Sequence, residues 1–444
     1  MHLISKLNIN HKKFFSLIIA LVPLSFIAGN MIININIVLI ILTSLLFFGR
    51  ELFKIEFFLL DKLLLAFFIL ILITGIINNF QLLPVIQTWV PDFDVNQYFP
   101  TIIKSILFIK YILLYFVLRF LIEKDLIDLK YFFLISAITS LFVCIDIFFQ
   151  FLNGKDIFGY PATGRKLSGP FGDELIAGGF IQRFSLFTFF LIPLFFKNIL
   201  NKYIIIIIPI LFLIIFTGII LSGNRMPLIL FIFCISLILL FQKQTRKFLI
   251  PFVIIFSLAF FLIFSSNKLV RDNFLNFYGQ TSQMLSIIIN KDFNDVSSPL
   301  YFKEFYTFYD TWLMNKYIGG GIKNFRYFCH ERENLKKDQD FKCNMHPHNY
   351  YLEILTETGL IGFIIILLAF VNIIGITFYR KYFTNSFLKD NNLIIPFMFL
   401  FFVEIFPIKS TGSFFTTGNS TYLFLIMGIL IGLVRREISF KNNV

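Results

Sequence analysis

Long apolar runs fill most of the chain, and short polar segments separate them. Residues 204–220 and 248–265, for example, contain no charged side chain. A helix needs about 20 mostly apolar residues to cross a hydrocarbon layer roughly 30 Å thick, because each residue rises about 1.5 Å. Strands of a membrane barrel would alternate apolar and polar positions, whereas these runs are continuous. The pattern therefore predicts membrane-spanning helices.

Twelve such spans can be drawn along the sequence. They cover residues 14–29, 31–48, 63–79, 101–119, 131–152, 174–196, 203–221, 225–241, 248–265, 351–378, 393–408 and 420–434. The predicted fold class is therefore an all-α, polytopic integral membrane protein with about 12 transmembrane helices.

The distribution of Lys and Arg orients these spans. Segments on the side of the N-terminus carry twenty basic residues, whereas the short segments on the opposite side carry six. Cytoplasmic loops are enriched in basic residues, so both termini are predicted to be cytoplasmic. The 85-residue segment 266–350 is then a large periplasmic loop. Residues 1–265 before it contain nine spans, and residues 351–444 after it contain three spans and a cytoplasmic tail.

Composition and charge agree with a membrane protein. Of the 444 residues only 15% are charged, against about 25% in a soluble protein, and the mean hydropathy is +0.81. The formal net charge of +13 could suggest nucleic acid as a partner. The basic residues lie at the ends of apolar runs, however, and form no basic stripe on a polar domain, so no nucleic acid is expected.

Several charged side chains fall within the outer halves of the predicted spans. They are Lys110, Asp146, Arg183, Arg225 and Glu404. Charges at this depth are costly and suggest function, although they could also pair with one another. The carboxylates are too few to neutralise Arg165, Arg183 and Arg225 together. Because the guanidinium fork grips phosphate with two hydrogen bonds, these arginines suggest a lipid-linked diphosphate as ligand.

The periplasmic loop ends in a histidine motif, His346-Pro347-His348-Asn349. Pro347 suits the first position of a helix, and the dipole at a helix N-terminus would keep His348 neutral and able to accept a proton. Asn349 and Glu353 share a neighbouring face, and Glu353 could orient His348. His346 is a second candidate for the proton acceptor. Alternatively, either histidine could be a surface residue without a function.

Cys329 and Cys343 lie in the same loop, and an oxidising periplasm favours a disulfide between them. The alternative is a metal site that adds His330 and His346. That spacing matches no standard zinc pattern, so no metal is predicted.

Five short motifs resemble, in the same order, those of the O-antigen ligase and polymerase superfamily. They are Arg165–Gly172, Ser222–Arg225, Gly319–Phe325, Pro347–Leu352 and Glu357–Gly362. Met226-Pro227 departs from the small residues common in that family after the arginine.

The resemblance implies a glycosyltransferase of the type C fold in the bacterial inner membrane. It would transfer a glycan from undecaprenyl diphosphate to an acceptor at the periplasmic face, by a single inverting displacement and without cofactor. His348 would be the base, and Arg165, Arg183 and Arg225 would clamp the diphosphate.

A ligase that uses lipid A-core as acceptor is favoured, because the histidine motif closes a single dominant loop. A polysaccharide polymerase that extends a growing glycan, or a protein oligosaccharyltransferase, would use the same donor. A lipid-linked glycan flippase is the alternative from another class, but the sequence shows neither the repeats nor the matching broken spans typical of transporters.

The predicted topology can be tested with fusion reporters. A reporter fused near Asn294 should be active only if it functions in the periplasm, and one near Asn385 only if it functions in the cytoplasm. The reverse result at both positions would invert the topology and remove the basis for a periplasmic site.

Overall fold

The computed structural model describes residues 10–89, 101–162, 166–195, 201–243, 245–290, 300–329, 343, 346–384 and 387–442. These residues form helices, and within them the only β-type pairing is an isolated bridge between Lys155 and Pro161. The helices are α1 His11–Ala20, α2 Val22–Ala28, α3 Asn30–Phe48, α4 Leu59–Trp89, α5 Thr101–Phe108, α6 Lys110–Glu123, α7 Leu129–Asn153, α8 Ala177–Phe184, α9 Leu186–Phe195, α10 Asn201–Leu221, α11 Arg225–Phe241, α12 Leu249–Ser266, α13 Lys268–Asn290, α14 Leu300–Met314, α15 Phe325–Phe328, α16 Tyr350–Ile374, α17 Arg380–Phe383, α18 Ile394–Glu404 and α19 Thr417–Asn442.

The protein is an all-α polytopic membrane protein, as predicted. Among the described residues, nine helical segments are long and apolar enough to cross a membrane, and Ile206–Leu221, Arg225–Phe241 and Ile394–Glu404 are shorter apolar helices. These twelve segments fall at the twelve predicted positions. The exact number of crossings and their orientation stay predictions.

The last helix, α19, is largely buried among the other helices and packs closely on α6. Its Gly428 and Gly432 permit this approach. A Cβ atom on Gly432 would lie 2.7 Å from the Cβ of Ile122, and one on Gly428 would lie 3.0 Å from the carbonyl oxygen of Tyr115. Small residues four apart on one helix face let two backbones approach within a membrane, where no hydrophobic effect drives them together.

A buried ion pair joins α4 and α6 near the predicted cytoplasmic end of the bundle. Arg119 and Asp61 are both fully buried, and their charged atoms lie 2.5 Å apart. Arg119 also contacts Glu123 at 2.8 Å, and Tyr115 donates to Asp61 at 2.9 Å. Each charge is thus paired and hydrogen-bonded, which burial requires.

The long loop of residues 266–350 is largely helical where it is described, and its glycine-rich turn docks into a break in α16. The break is at Gly359, with φ 67° and ψ −174°. The N–H groups of residues 320–321 donate to the carbonyls of residues 356–357, and the N–H groups of residues 360–361 donate to the carbonyls of residues 316–317, at 2.8 to 3.2 Å. In an unbroken helix, residues 356–357 and 360–361 would bond to one another.

This exchange, called here the backbone exchange, gives partners to two carbonyls and two N–H groups that lose their helical partners at the break. It also requires glycine on both sides. A Cβ atom on Gly319 would lie 2.5 Å from backbone atoms of residues 357–359, and one on Gly359 would overlap the carbonyl of Tyr317. The glycine-rich motif is therefore explained by space and by backbone geometry.

Replacing Gly359 with alanine should destabilise the protein. The new Cβ would overlap the Tyr317 carbonyl, and the alanine would have to adopt a positive φ. The free energy of unfolding should fall by at least about 1–3 kcal/mol. Thermal unfolding of the purified protein in detergent measures the effect. Gly375→Ala is the control, since a Cβ there meets nothing within 4 Å. Equal melting temperatures for the two variants would contradict the exchange.

Candidate functional site

The histidine motif forms a tight turn just before α16. His348 has a φ of 54°, which is unusual for a residue other than glycine. The helix begins at Tyr350, and Asn349 is its N-cap, with its side-chain oxygen accepting from the N–H groups of Tyr351 at 3.0 Å and Leu352 at 3.2 Å. Pro347 and His348 therefore precede the helix, and the expectation that Pro347 is its first residue is wrong, because Asn349 is a strong cap.

Both histidines are nevertheless biased toward the neutral form. Burial, followed by the neighbouring charge of His348, lowers the pKa of His346 to about 4. Burial and then the charge of Lys166 lower the pKa of His348 below its usual 6.5. Their rings lie 4.5 Å apart, edge to face. Desolvation, and not position within a helix, thus leaves each ring able to accept a proton at neutral pH.

The segment between α18 and α19, residues 405–416, holds this turn. The Asn349 amide donates to the carbonyl of Pro407 at 2.8 Å, and the Tyr351 hydroxyl donates to the carbonyl of Ile405. Both oxygens of the buried Glu353 are bonded to the same segment, by the Ser413 hydroxyl and the Phe414 N–H. Glu353 therefore supports the turn through this segment, and its orientation of His348 stays a prediction.

Arg183 is bound to the buried carboxylate of Glu404. Its Nη2 donates to Glu404 at 2.7 Å and to Asn419 at 2.6 Å, its Nε donates to Glu404 at 3.3 Å, and the guanidinium lies over the ring of Tyr422. Its Nη1 has no protein partner within the described parts of the chain, and the side chain is 14% exposed. Arg183 thus has a carboxylate partner, which holds its guanidinium by one edge.

Glu404 also binds two groups that connect it to the histidine turn. The Tyr350 hydroxyl donates to Glu404, and Lys409 Nζ donates to the same oxygen at 2.7 Å. Two cations therefore share one carboxylate, so this buried cluster of Arg183, Lys409, Glu404 and Tyr350 has a formal charge of +1. Sequence reasoning counted Lys409 only as an outer basic residue. The signal it could have used is the glutamate five positions earlier at the end of a span.

Arg225 is the first residue of α11, and helix α13 of the long loop contacts it. Its Nε donates to Asn273 at 2.7 Å and its Nη1 to Gln280 at 3.4 Å, both on α13, and the guanidinium lies over Phe277. Pro227 falls at the third helical position, where the missing N–H would have had no helical partner. The departure at Met226-Pro227 therefore leaves the helix start intact.

The helix of Arg183 touches the turn of Arg225. A Cβ atom on Gly178 would lie 2.5 Å from the hydroxyl of Ser222 and 2.8 Å from the Cβ of Asn224. Gly178 of α8 thus packs against the turn that precedes Arg225. Arg165, the third predicted arginine, lies outside the described residues.

Two lysines that sequence reasoning did not assign to the site, Lys323 and Lys104, lie near carboxylates of α16. Burial lowers the pKa of Lys323 below 10.5, and the nearby Glu357 and Glu353 act in the opposite direction. Lys104 Nζ donates to the side chain of Asn324 at 3.2 Å. The backbone exchange brings these residues together, because it sets residues 320–321 against residues 356–357.

Cys329 and Cys343 are joined in a disulfide, with Cα atoms 5.9 Å apart. Cys329 is buried against Phe308 and Phe325, so the bridge fastens the chain three residues before His346 to the helical part of the loop. Among the described residues, no group of three His, Cys, Asp or Glu side chains could hold a metal ion. His330 of the zinc alternative lies outside them.

The fold and this site place the protein among integral membrane proteins with a polar site at one end of a helical bundle. The model of a family described as O-Antigen ligase matches residues 210–367, which include Arg225, the long loop of residues 266–350 and the histidine turn. The match supports membership of the O-antigen ligase superfamily and confirms the resemblance over that segment. It indicates an enzyme that transfers glycans in polysaccharide ligation or polymerisation and acts on lipid-linked substrates. No curated protein matches the chain.

The disulfide predicts a specific labelling pattern. In denatured but unreduced protein, a thiol reagent should label the free Cys144 and Cys234 and should miss Cys329 and Cys343. All four should label after reduction, and peptide mass mapping distinguishes the two patterns. Labelling of all four without reductant would show that the bridge does not form, and bound zinc should then be assayed.

Proposed function

We propose that the protein transfers a glycan from undecaprenyl diphosphate to an acceptor at the periplasmic face, as an O-antigen ligase that joins it to lipid A-core. The observation that carries the proposal is the shared carboxylate of Glu404. It binds Arg183 and also Tyr350, which is two residues after His348. The turn that carries the neutral His348 and the guanidinium of Arg183 are therefore connected through hydrogen bonds to the same carboxylate.

The acceptor hydroxyl is a weak nucleophile and gains from a base. His348 would take its proton while the hydroxyl oxygen bonds to the anomeric carbon of the glycan. The bond between that carbon and the diphosphate oxygen breaks in the same step, so the configuration inverts. The electron pair leaves with undecaprenyl diphosphate, and His348 carries the proton until it passes to water.

The arginines would stabilise the negative charge that develops on the leaving diphosphate. Glu404 and Asn419 hold Nε and Nη2 of Arg183, which leaves Nη1 to donate to phosphate. A guanidinium held in advance needs no reorganisation as charge develops. Arg225 is held similarly by Asn273 and Gln280. Arg165 is assigned to the same diphosphate by its motif.

The net charge of the Glu404 cluster agrees with an anionic ligand. Arg183 and Lys409 outnumber the single carboxylate, and burial makes an uncompensated charge costly. A bound diphosphate would offset it. A polymerase or a protein oligosaccharyltransferase would use the same donor site, and the acceptor alone distinguishes them.

Substitutions at His348 and the arginines should distinguish the residue that accepts the proton from the residues that bind the diphosphate. His348→Ala should lower turnover about 100- to 10,000-fold and leave binding of undecaprenyl diphosphate nearly unchanged, because the base acts on the acceptor. Arg225→Lys and Arg183→Lys keep the charge but lose the planar fork, so they should weaken binding of the diphosphate and recover only part of the activity. Binding and turnover are measured separately on folded, membrane-inserted protein.

Two controls accompany this experiment. Arg246→Ala removes an exposed arginine at the other end of the bundle, where it donates to the Leu240 carbonyl, and should change neither quantity. If His346→Ala abolishes turnover and His348→Ala does not, His346 is the base. If neither histidine matters, the transferase proposal fails and a flippase becomes the better explanation.

A further inference from the structure

Lys409 is a buried lysine in the segment between α18 and α19, and its ammonium group joins three parts of the site. Its Nζ donates to the Glu404 carboxylate at 2.7 Å, to the Tyr350 hydroxyl at 3.2 Å and to the Glu404 carbonyl at 3.5 Å. It also lies 4.4 Å from the centre of the Tyr350 ring. These contacts use all three ammonium hydrogens, so Lys409 is suited to holding protein groups and not to binding a ligand directly.

The backbone of Lys409 binds the same turn from a second direction. The Asn349 amide donates to the carbonyl of Pro407 at 2.8 Å and to that of Lys409 at 3.4 Å. Asn349 and Tyr350 are the two residues that directly follow His348. Lys409 therefore contacts both, one through its carbonyl and the other through its side chain.

The Lys409 side chain also acts on the other end of the site through Glu404. Arg183 and Lys409 bind the same carboxylate oxygen, each at 2.7 Å. The position of that oxygen depends on both cations. A change at Lys409 would therefore move the groups that orient the Arg183 fork as well as the turn that carries His348.

We propose that Lys409 is a positioning residue, which fixes the turn of His348 and the carboxylate that orients Arg183 in one arrangement, so that both act on the same bound donor. This inference rests on the proposed function, with His348 as the base. It adds a residue that the sequence motifs do not include and that lies outside residues 210–367.

A second buried lysine in the chain provides a matched control. Lys381, near the other end of the helix that begins at Tyr350, donates to the carbonyls of Leu388 at 3.0 Å, Lys389 at 3.1 Å and Asn391 at 2.9 Å. It therefore binds three protein groups, as Lys409 does, but it is remote from the histidine turn. Lys381→Met measures what the loss of a buried, fully bonded lysine does to folding alone.

The test compares Lys409→Met with Lys381→Met on membrane-inserted protein. Turnover is measured with lipid-linked glycan extracted from the native cells, binding with undecaprenyl diphosphate, and folding by thermal unfolding. Displacing a catalytic group by about 1 Å can lower a rate roughly 100-fold. Lys409→Met should therefore lower kcat by about that factor per folded molecule, with a smaller change in binding, whereas Lys381→Met should affect only unfolding.

Two further measurements apply if Lys409→Met does not fold. Tyr350→Phe keeps the ring and removes the hydroxyl between Glu404 and Lys409, so it should also lower kcat, by a smaller factor than Lys409→Met.

Burial lowers the pKa of Lys409 to about 8, with Glu404 opposing the shift and Arg183 adding to it. Turnover should therefore fall above about pH 8, when Lys409 loses its proton, and Lys409→Arg should move that fall to higher pH.

The groups that face Lys409 are Glu404, Tyr350 and Arg183. The histidines have a pKa below 6.5, so they would not produce a fall near pH 8. The inference is overturned if Lys409→Met and Tyr350→Phe both have the wild-type kcat. It is also overturned if Lys409→Arg does not change the pH at which turnover falls. If His348→Ala retains full turnover, the proposed function itself fails. If His348→Ala is inactive while the Lys409 variants are normal, only the inference fails.

Discussion

The organisation of the site depends on one buried carboxylate, Glu404. It is 1% exposed and accepts hydrogen bonds from a guanidinium, an ammonium and a phenol. A carboxylate buried without partners would be very costly, so helices α8, α16 and α18 and the segment of Lys409 must meet at it. That requirement places Arg183 beside the histidine turn, although 165 residues separate Arg183 from His348 along the chain.

The backbone exchange at Gly359 has a comparable role for the long loop of residues 266–350. A helix broken within the membrane region leaves carbonyl and N–H groups that lipid does not satisfy. Residues 316–321 satisfy them, and in doing so attach the loop to the helix that follows the histidines. The disulfide between Cys329 and Cys343 adds a second attachment. The histidine turn is thus held at several points, as the proposed role of His348 as a base requires.

The charges at the site differ in what they can do for a ligand. Arg183 is held at Nε and Nη2 and keeps Nη1, whereas the ammonium group of Lys409 is fully occupied by protein groups. Arg225 is bound by the side-chain amides of Asn273 and Gln280 on α13. This division between orienting cations and binding cations suits a diphosphate whose charge grows as it leaves. It also explains why counting basic residues alone did not identify Lys409.

The sequence by itself determined the class of protein, because a span in lipid must be continuous, apolar and helical, and those properties are local. The spans, the cysteine pair and the histidine motif could be recognised from the sequence for the same reason. The family motifs added the glycine-rich turn and Arg225. The start of α16 was misplaced by three residues, at Pro347 and not at Tyr350, since Pro347 and Asn349 both give helix-start signals. Only the tertiary structure decided which charges pair. Arg183, Glu404, Tyr350 and Lys409 come from four separate segments, and the contacts between them follow from how the helices pack and not from spacing along the chain.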